Sequence, residues 1–235
     1  MELYINFKAV FAEFIATTLF VFVGTGTAMT FLTNNLVSSS WGVTVALSFG
    51  LGIASLISSV AHISGGHLNS AVSWGLFILG KVSFFQMLAN TLAQCLGSIL
   101  ASGLLYGMLP NSSSSTLGAN VLFPGVSVGN AVLGEIVMTY LLMFVILMTA
   151  VDKKLYYAPF AIGLAVFVGH SVLLPIDGCS INPTRSLGPA VISGNWDNFW
   201  VFIVGPYVGA SLASMCYMIL GWMREVEMLE SSLPN

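Results

Sequence analysis

Residues 178–190 read GCSINPTRSLGPA, and residues 64–76 read SGGHLNSAVSWGL. Each is a polar, glycine-bearing break that ends in an asparagine, Asn182 or Asn69. Each asparagine opens a run of about ten residues, PTRSLGPAVI from Pro183 and SAVSWGLFILG from Ser70. At about 1.5 Å per residue such a helix is roughly 15 Å long, half of the roughly 30 Å of hydrocarbon in a bilayer. The pattern predicts two half-helices, each N-capped by asparagine, whose positive ends point at a common place near mid-depth.

The rest of the chain supplies the membrane that such half-helices need. Of 235 residues 57% are hydrophobic and 6% charged, against roughly 25% charged in a soluble domain. Apolar runs at 9–32, 41–61, 84–108, 130–151, 158–175 and 198–222 are each near the roughly 20 residues that span a bilayer. The first carries Glu13 and lacks a basic flank with a small-residue cleavage site, so it reads as a retained helix. The expected fold is an all-α membrane protein, six transmembrane helices plus two re-entrant half-helices, in one domain over 1–235.

Superposing Asn69 on Asn182 also superposes FGLGIA (49–54) on IGLAVF (162–167), and AEFIATTLF (12–20) resembles GEIVMTYLL (134–142). The chain therefore reads as two copies of one unit, about 7–108 and 129–224, joined by an external loop at 109–129. Three spans per copy is an odd number, so the second copy enters from the opposite side and the repeat is inverted, an arrangement that encloses transport paths. Non-helical backbone at that depth must be buried or line a wet cavity. Gly65, Gly66 and His67, with Gly178, Cys179 and Ser180, are thus expected to present carbonyls to water.

Lys8, Lys81, Lys153, Lys154 and Arg224 all fall on the side of the two termini, which makes that side cytoplasmic. Asn111, in an NSS sequon of the opposite loop, is a possible glycosylation site, and a plasma membrane suits it better than an organelle. The net charge of −3, without a basic cluster, gives nucleic acid nothing to bind. Cys95, Cys179 and Cys216 have no metal or disulfide spacing, so no metal and no cofactor is expected. No nucleophile and base pair or nucleotide loop suggests an enzyme. In the acidic tail REVEMLESSLPN, Ser231 and Ser232 are candidate phosphorylation sites, although a solvated helix end explains them as well.

These stretches, with AEF and FWVFIVGPYVGA, resemble the aquaporin, or major intrinsic protein, family, whose mark is two Asn-Pro-Ala boxes opening two half-helices. The resemblance implies a homotetramer in the lipid bilayer, each subunit passing water in single file. It places a selectivity filter at Phe49, His170, Cys179 and Arg185, an imidazole and a guanidinium opposite a phenyl ring. His170, Ser186 after the arginine and Phe199-Trp200 are similar to the water-selective branch. The resemblance gives Glu13 and Glu135 the task of accepting loop N–H groups, and Cys179 a mercurial-sensitive thiol. His62 and His67, beside the first half-helix, read as packing residues or a pH gate. At the repeat-equivalent places of the first copy stand Ile57, Gly66 and Val72, so one mouth is narrow and charged and the other neutral.

The boxes depart from the pattern: Asn69-Ser70-Ala71 and Asn182-Pro183-Thr184. The exchange is expected to compensate through hydroxyls of Ser70 and Thr184 bonded to each other or to backbone. Two other readings stand beside a water channel: a channel for another small neutral solute (hydrogen peroxide, ammonia or glycerol), and a poorly conducting structural or adhesion protein.

Overall fold

The computed structural model describes residues 4–33, 40–109 and 116–231. Asn111 and Ser232 lie outside the described residues. Six long helices carry the fold: α1 (Phe7–Thr33), α2 (Trp41–Ser64), α4 (Phe84–Met108), α5 (Val128–Ile146), α6 (Ala158–Asp177) and α8 (Val201–Ser231). Two short ones, α3 (Ser70–Ile78) and α7 (Pro183–Ser193), follow α2 and α6. Among the described residues these helices give six apolar stretches of 20 to 29 residues with mean hydropathy 1.4 to 2.3, that of α5 running on to Asp152, each long and apolar enough to cross a bilayer.

Local chemistry sets the ends. Ser83 and Ser127 cap α4 and α5 by accepting from the N–H groups of Gln86 (3.2 Å) and Asn130 (3.1 Å). Both α2 and α6 stop on a left-handed glycine, Gly65 (φ 88°) and Gly178 (φ 80°), a conformation that costs other residues a Cβ clash. The chain then turns back into the molecule in both places. A π-helical turn, Leu147–Asp152, continues α5.

Lipid is as apolar as leucine, so helices associate here through close packing at small residues. A Cβ on Gly97 of α4 would lie 2.6 Å from the Phe14 carbonyl of α1. One on Gly209 of α8 would meet the Ile136 carbonyl of α5 in the same way. Between the two halves, α2 crosses α6 at Gly50 and Gly163, where either Cβ would fall within 2.7 Å of the other glycine's carbonyl oxygen. These two glycines stand at matching positions when Asn69 is aligned with Asn182. Polar groups lie inward: Glu13, Gln94, Glu135, Asp177 and Arg185 are all buried. Leucines at 92, 96, 100 and 104 line the outer face of α4.

Candidate pore

The two re-entrant stretches meet through their asparagines. Asn69 accepts from Ala71 N–H (2.9 Å) and donates through Nδ2 to the Ile181 carbonyl (2.7 Å). Asn182 accepts from the N–H groups of Thr184 (3.1 Å) and Arg185 (3.2 Å) and donates to the Leu68 carbonyl (2.8 Å). Each asparagine thus caps its own half-helix and ties it to the loop of the other. An amide nitrogen carries two hydrogens, so one per asparagine remains for a guest. Leu68 and Ile181 themselves sit at φ 50° and 44°, a region branched residues avoid.

Carboxylates hold that backbone. Glu13 accepts from the N–H groups of His67 (2.9 Å) and Leu68 (2.7 Å), from Ser64 Oγ (2.7 Å) and from Gln94 Nε2 (2.8 Å). Glu135 accepts from the N–H groups of Ser180 and Ile181, both at 2.7 Å. The His67 imidazole is buried and engaged through Nδ1 with Ser73 Oγ (2.9 Å), whereas His62 lies exposed on α2.

Outside this centre, Phe49, His170, Cys179 and Arg185 come together, none more than 3% exposed. Arg185 reaches from α7 with its Cζ 5.1 Å from the Phe49 ring centroid. Its Nη1 donates to the carbonyl of Gly118 (2.8 Å) and to Asn120 Oδ1 (2.7 Å). Here the structure corrects the expected layout: Phe49 and His170 do not face each other across an opening but stack, centroids 4.1 Å apart and planes 22° apart. The physical reason lies on α1, where a Cβ on Gly24 would clash with the Phe49 ring; its absence makes room for the ring there. Phe20 meets the same ring edge-on at 5.6 Å. His170 Nδ1 is bonded to the Val166 carbonyl (2.9 Å), while its Nε2 and Arg185 Nε have no partner among the described residues. Cys179 has no accessible surface and belongs to the apolar core with Phe49 and Ile181.

Cavities approach this layer from both sides. The outer one, about 170 Å³, is bounded by Trp41, Phe123, Gly118, Gly178 and Arg185. The inner one, about 320 Å³, is bounded by Gly65, His67, Lys154 and Tyr156 and by Ile57, Gly66, Val72 and Ile162. The last four are the repeat equivalents of His170, Cys179, Arg185 and Phe49. These four positions thus hold a tight charged layer on one side and only apolar or glycine positions on the other, where the charge expected to be missing is supplied instead by Lys154 at the cavity wall.

The Ser70 and Thr184 expectation is overturned. Thr184 Oγ1 donates to Asn182 Oδ1 (2.6 Å), two residues away, and the buried Ser70 hydroxyl lies beside Tyr207 of α8, away from Thr184. The two hydroxyls do not compensate each other. Ser70→Pro is expected to raise stability by about 1 kcal/mol, since the first helical position suits proline, whose fixed φ restricts the unfolded chain. Thermal unfolding in detergent reads it; a lower melting temperature for Ser70→Pro refutes it.

Sequence reasoning missed Gly118, Asn120 and Asp177, which fix Arg185 and the loop before it. An acid at membrane depth was the available signal for Asp177.

The family description "Major intrinsic protein" matches residues 2–217. The chain belongs to that family. Among major intrinsic proteins it is 44% identical to aquaporin-1 of Homo sapiens over 216 residues, 89% of this chain and 80% of that protein. It is 42% identical to aquaporin-1 of Sus scrofa over 221 residues, 91% of this chain and 82% of that one. An X-ray structure of the aquaglyceroporin from Plasmodium falciparum superposes with a TM-score of 0.82 at 26% identity, covering 90% of this chain and 95% of that chain. With six helices among the described residues long and apolar enough to cross a bilayer, this major intrinsic protein is an integral multi-pass membrane protein.

Proposed function

We infer that the protein is a passive water channel driven by osmotic gradients, conducting water in single file and excluding protons and ions. The observation that carries this reading is the paired asparagines at the tips of α3 and α7, under a layer of Phe49, His170, Cys179 and Arg185. His170 Nε2, Arg185 Nε and the second hydrogens of Asn69 and Asn182 are donor or acceptor positions that water alone is small enough to visit in turn. A water held by two asparagine donors offers them only its lone pairs, which interrupts a proton wire. Arg185 and the positive ends of two half-helices oppose cations.

Water rather than glycerol is proposed from bulk: the stacked Phe49 and His170 rings must part to open a path, and a water needs a smaller separation than a carbon backbone with several hydroxyls. The similarity to aquaporin-1 proteins supports the same choice. The protein is proposed to sit in the plasma membrane with both termini cytoplasmic. It is proposed to form a homotetramer through apolar outer faces such as Phe11, Ile15 and Leu19 of α1 and Phe160, Leu164 and Val168 of α6.

Stopped-flow light scattering of proteoliposomes under an osmotic step tests the function. Shrinkage at least tenfold faster than in empty vesicles is expected. A mercurial is expected to inhibit with a slow onset, because the Cys179 thiol is buried, and Cys179→Ser is expected to be insensitive. Shrinkage at the empty-vesicle rate favours the poorly conducting reading, for which the closed Phe49–His170 stack is the specific observation.

A further inference from the structure

Asp177 ends α6 one residue before the loop that carries Cys179, and it is fully buried. Its Oδ1 accepts from Cys179 N–H (2.9 Å), and its carbonyl accepts from Asn120 Nδ2 and Val121 N–H, both at 3.2 Å. Its Oδ2 is buried with no hydrogen-bond partner among the described residues. Asn120 is a two-sided clamp: Arg185 Nη1 and Ser186 Oγ both donate to its Oδ1 at 2.7 Å, which fixes the amide so that its NH2 faces Asp177.

Arg185 is 3% exposed, yet the oxygens its Nη1 donates to, on Gly118 and Asn120, are neutral. A guanidinium out of water requires a counter-charge nearby. Two buried carboxylates stand on the same loop system: Asp177, joined to Arg185 through the single amide of Asn120, and Glu135, beneath the Ser180 and Ile181 N–H groups. Both oxygens of Glu135 are engaged by loop N–H groups, whereas Asp177 keeps one oxygen uncommitted. The repeat gives a second, independent pointer. The first-half equivalent of Arg185 is Val72 and that of Asp177 is Ser64 (177 − 113 = 64), so cation and acid appear together in one copy and are both missing from the other.

We propose that Asp177 is the buried counter-charge of Arg185 and that it sets how strongly the outer layer repels cations, acting through its field without touching the permeant. This rests on the channel reading above. Asp177 stabilises the arginine in its place and offsets part of its positive potential. With the arginine removed, the acid stands unbalanced beside the path and draws cations in.

The test is a cycle in proteoliposomes: wild type, Arg185→Val, Asp177→Asn and the double variant, with Asp177→Glu in the Arg185→Val background. Val is the residue that the repeat itself places at this position. Each is read for water by osmotic shrinkage, and for cations by proton or methylammonium entry with an internal pH dye. Arg185→Val is expected to leak cations, Arg185→Val/Asp177→Asn to leak about tenfold less, and Arg185→Val/Asp177→Glu to leak as the single variant does. A leak unchanged by Asp177→Asn, or no leak in Arg185→Val, overturns the proposal. Leak is divided by water permeability, and if the Asn variant does not fold, Asp177→Thr replaces it, keeping an acceptor for Cys179 N–H without the charge. Wild-type vesicles that pass no water refute the channel reading instead, so the two failures are separable.

Discussion

Alanine at Gly163 is expected to cost about 3 kcal/mol, and leucine there to abolish folded protein. The added Cβ would stand 2.5 Å from the Gly50 carbonyl oxygen and 2.7 Å from the Ala54 Cβ. Neither obstacle is the far end of a flexible side chain, so the helices must separate, and overpacking against backbone is at the costly end of the usual range. Separation also loses the contacts that hold the two halves together, since in a bilayer no hydrophobic effect between helices replaces them. The control is Gly103→Ala or Gly107→Ala on α4, where nothing lies within 4 Å of the added carbon. There alanine is expected to stabilise by up to about 1 kcal/mol through helix propensity. Thermal unfolding and size-exclusion yield in detergent measure both. A Gly163→Ala protein that melts with the wild type disproves the close α2–α6 crossing.

How far the sequence could be read depended on whether the signal was local. Hydropathy located the six crossing helices because each run had to fill the same thickness of hydrocarbon. It placed the end of the last run at 222, whereas α8 continues to Ser231: hydropathy measures the membrane, and a helix that leaves it stays helical. The asparagine caps were legible because a cap bonds two or three residues onward in the chain. Arg185 with Gly118 and Asn120 was not, because those partners lie in a loop 65 or more residues away without periodic pattern. The Ser70–Thr184 error has the same origin. The two departures from the motif invited a pairing, but Asn182 Oδ1, two residues from Thr184, was nearer than the other half-helix. The Phe49–His170 stack depends on a side chain that Gly24 does not have, on a third helix, and no spacing rule connects those three positions.

Glu135→Leu is expected to bring water permeability down to the rate of empty vesicles while the six long helices remain. Two N–H groups, on Ser180 and Ile181, have the two oxygens of that carboxylate as their acceptors. Deprived of it inside the protein, each costs about 1–3 kcal/mol. Ile181 is already held at φ 44°, a conformation that costs a further 1–3 kcal/mol or so and persists only when its surroundings fix it. The loop therefore relaxes, and the Ile181 carbonyl, which Asn69 Nδ2 uses, moves with it. Both asparagines then lose their aim, because the bond from Asn182 to Leu68 depends on the same loop. Glu135→Gln keeps an acceptor for one N–H but sets an NH2 against the other, so its permeability should fall between the two. Glu13→Leu should harm folding more than Glu135→Leu, since Glu13 also receives Ser64 Oγ and Gln94 Nε2. Stopped-flow shrinkage, normalised to reconstituted protein, gives the order. If Glu135→Leu conducts like the wild type, the carboxylate does not position the pore, and the left-handed turn at Ile181 must be held by the asparagine contacts alone.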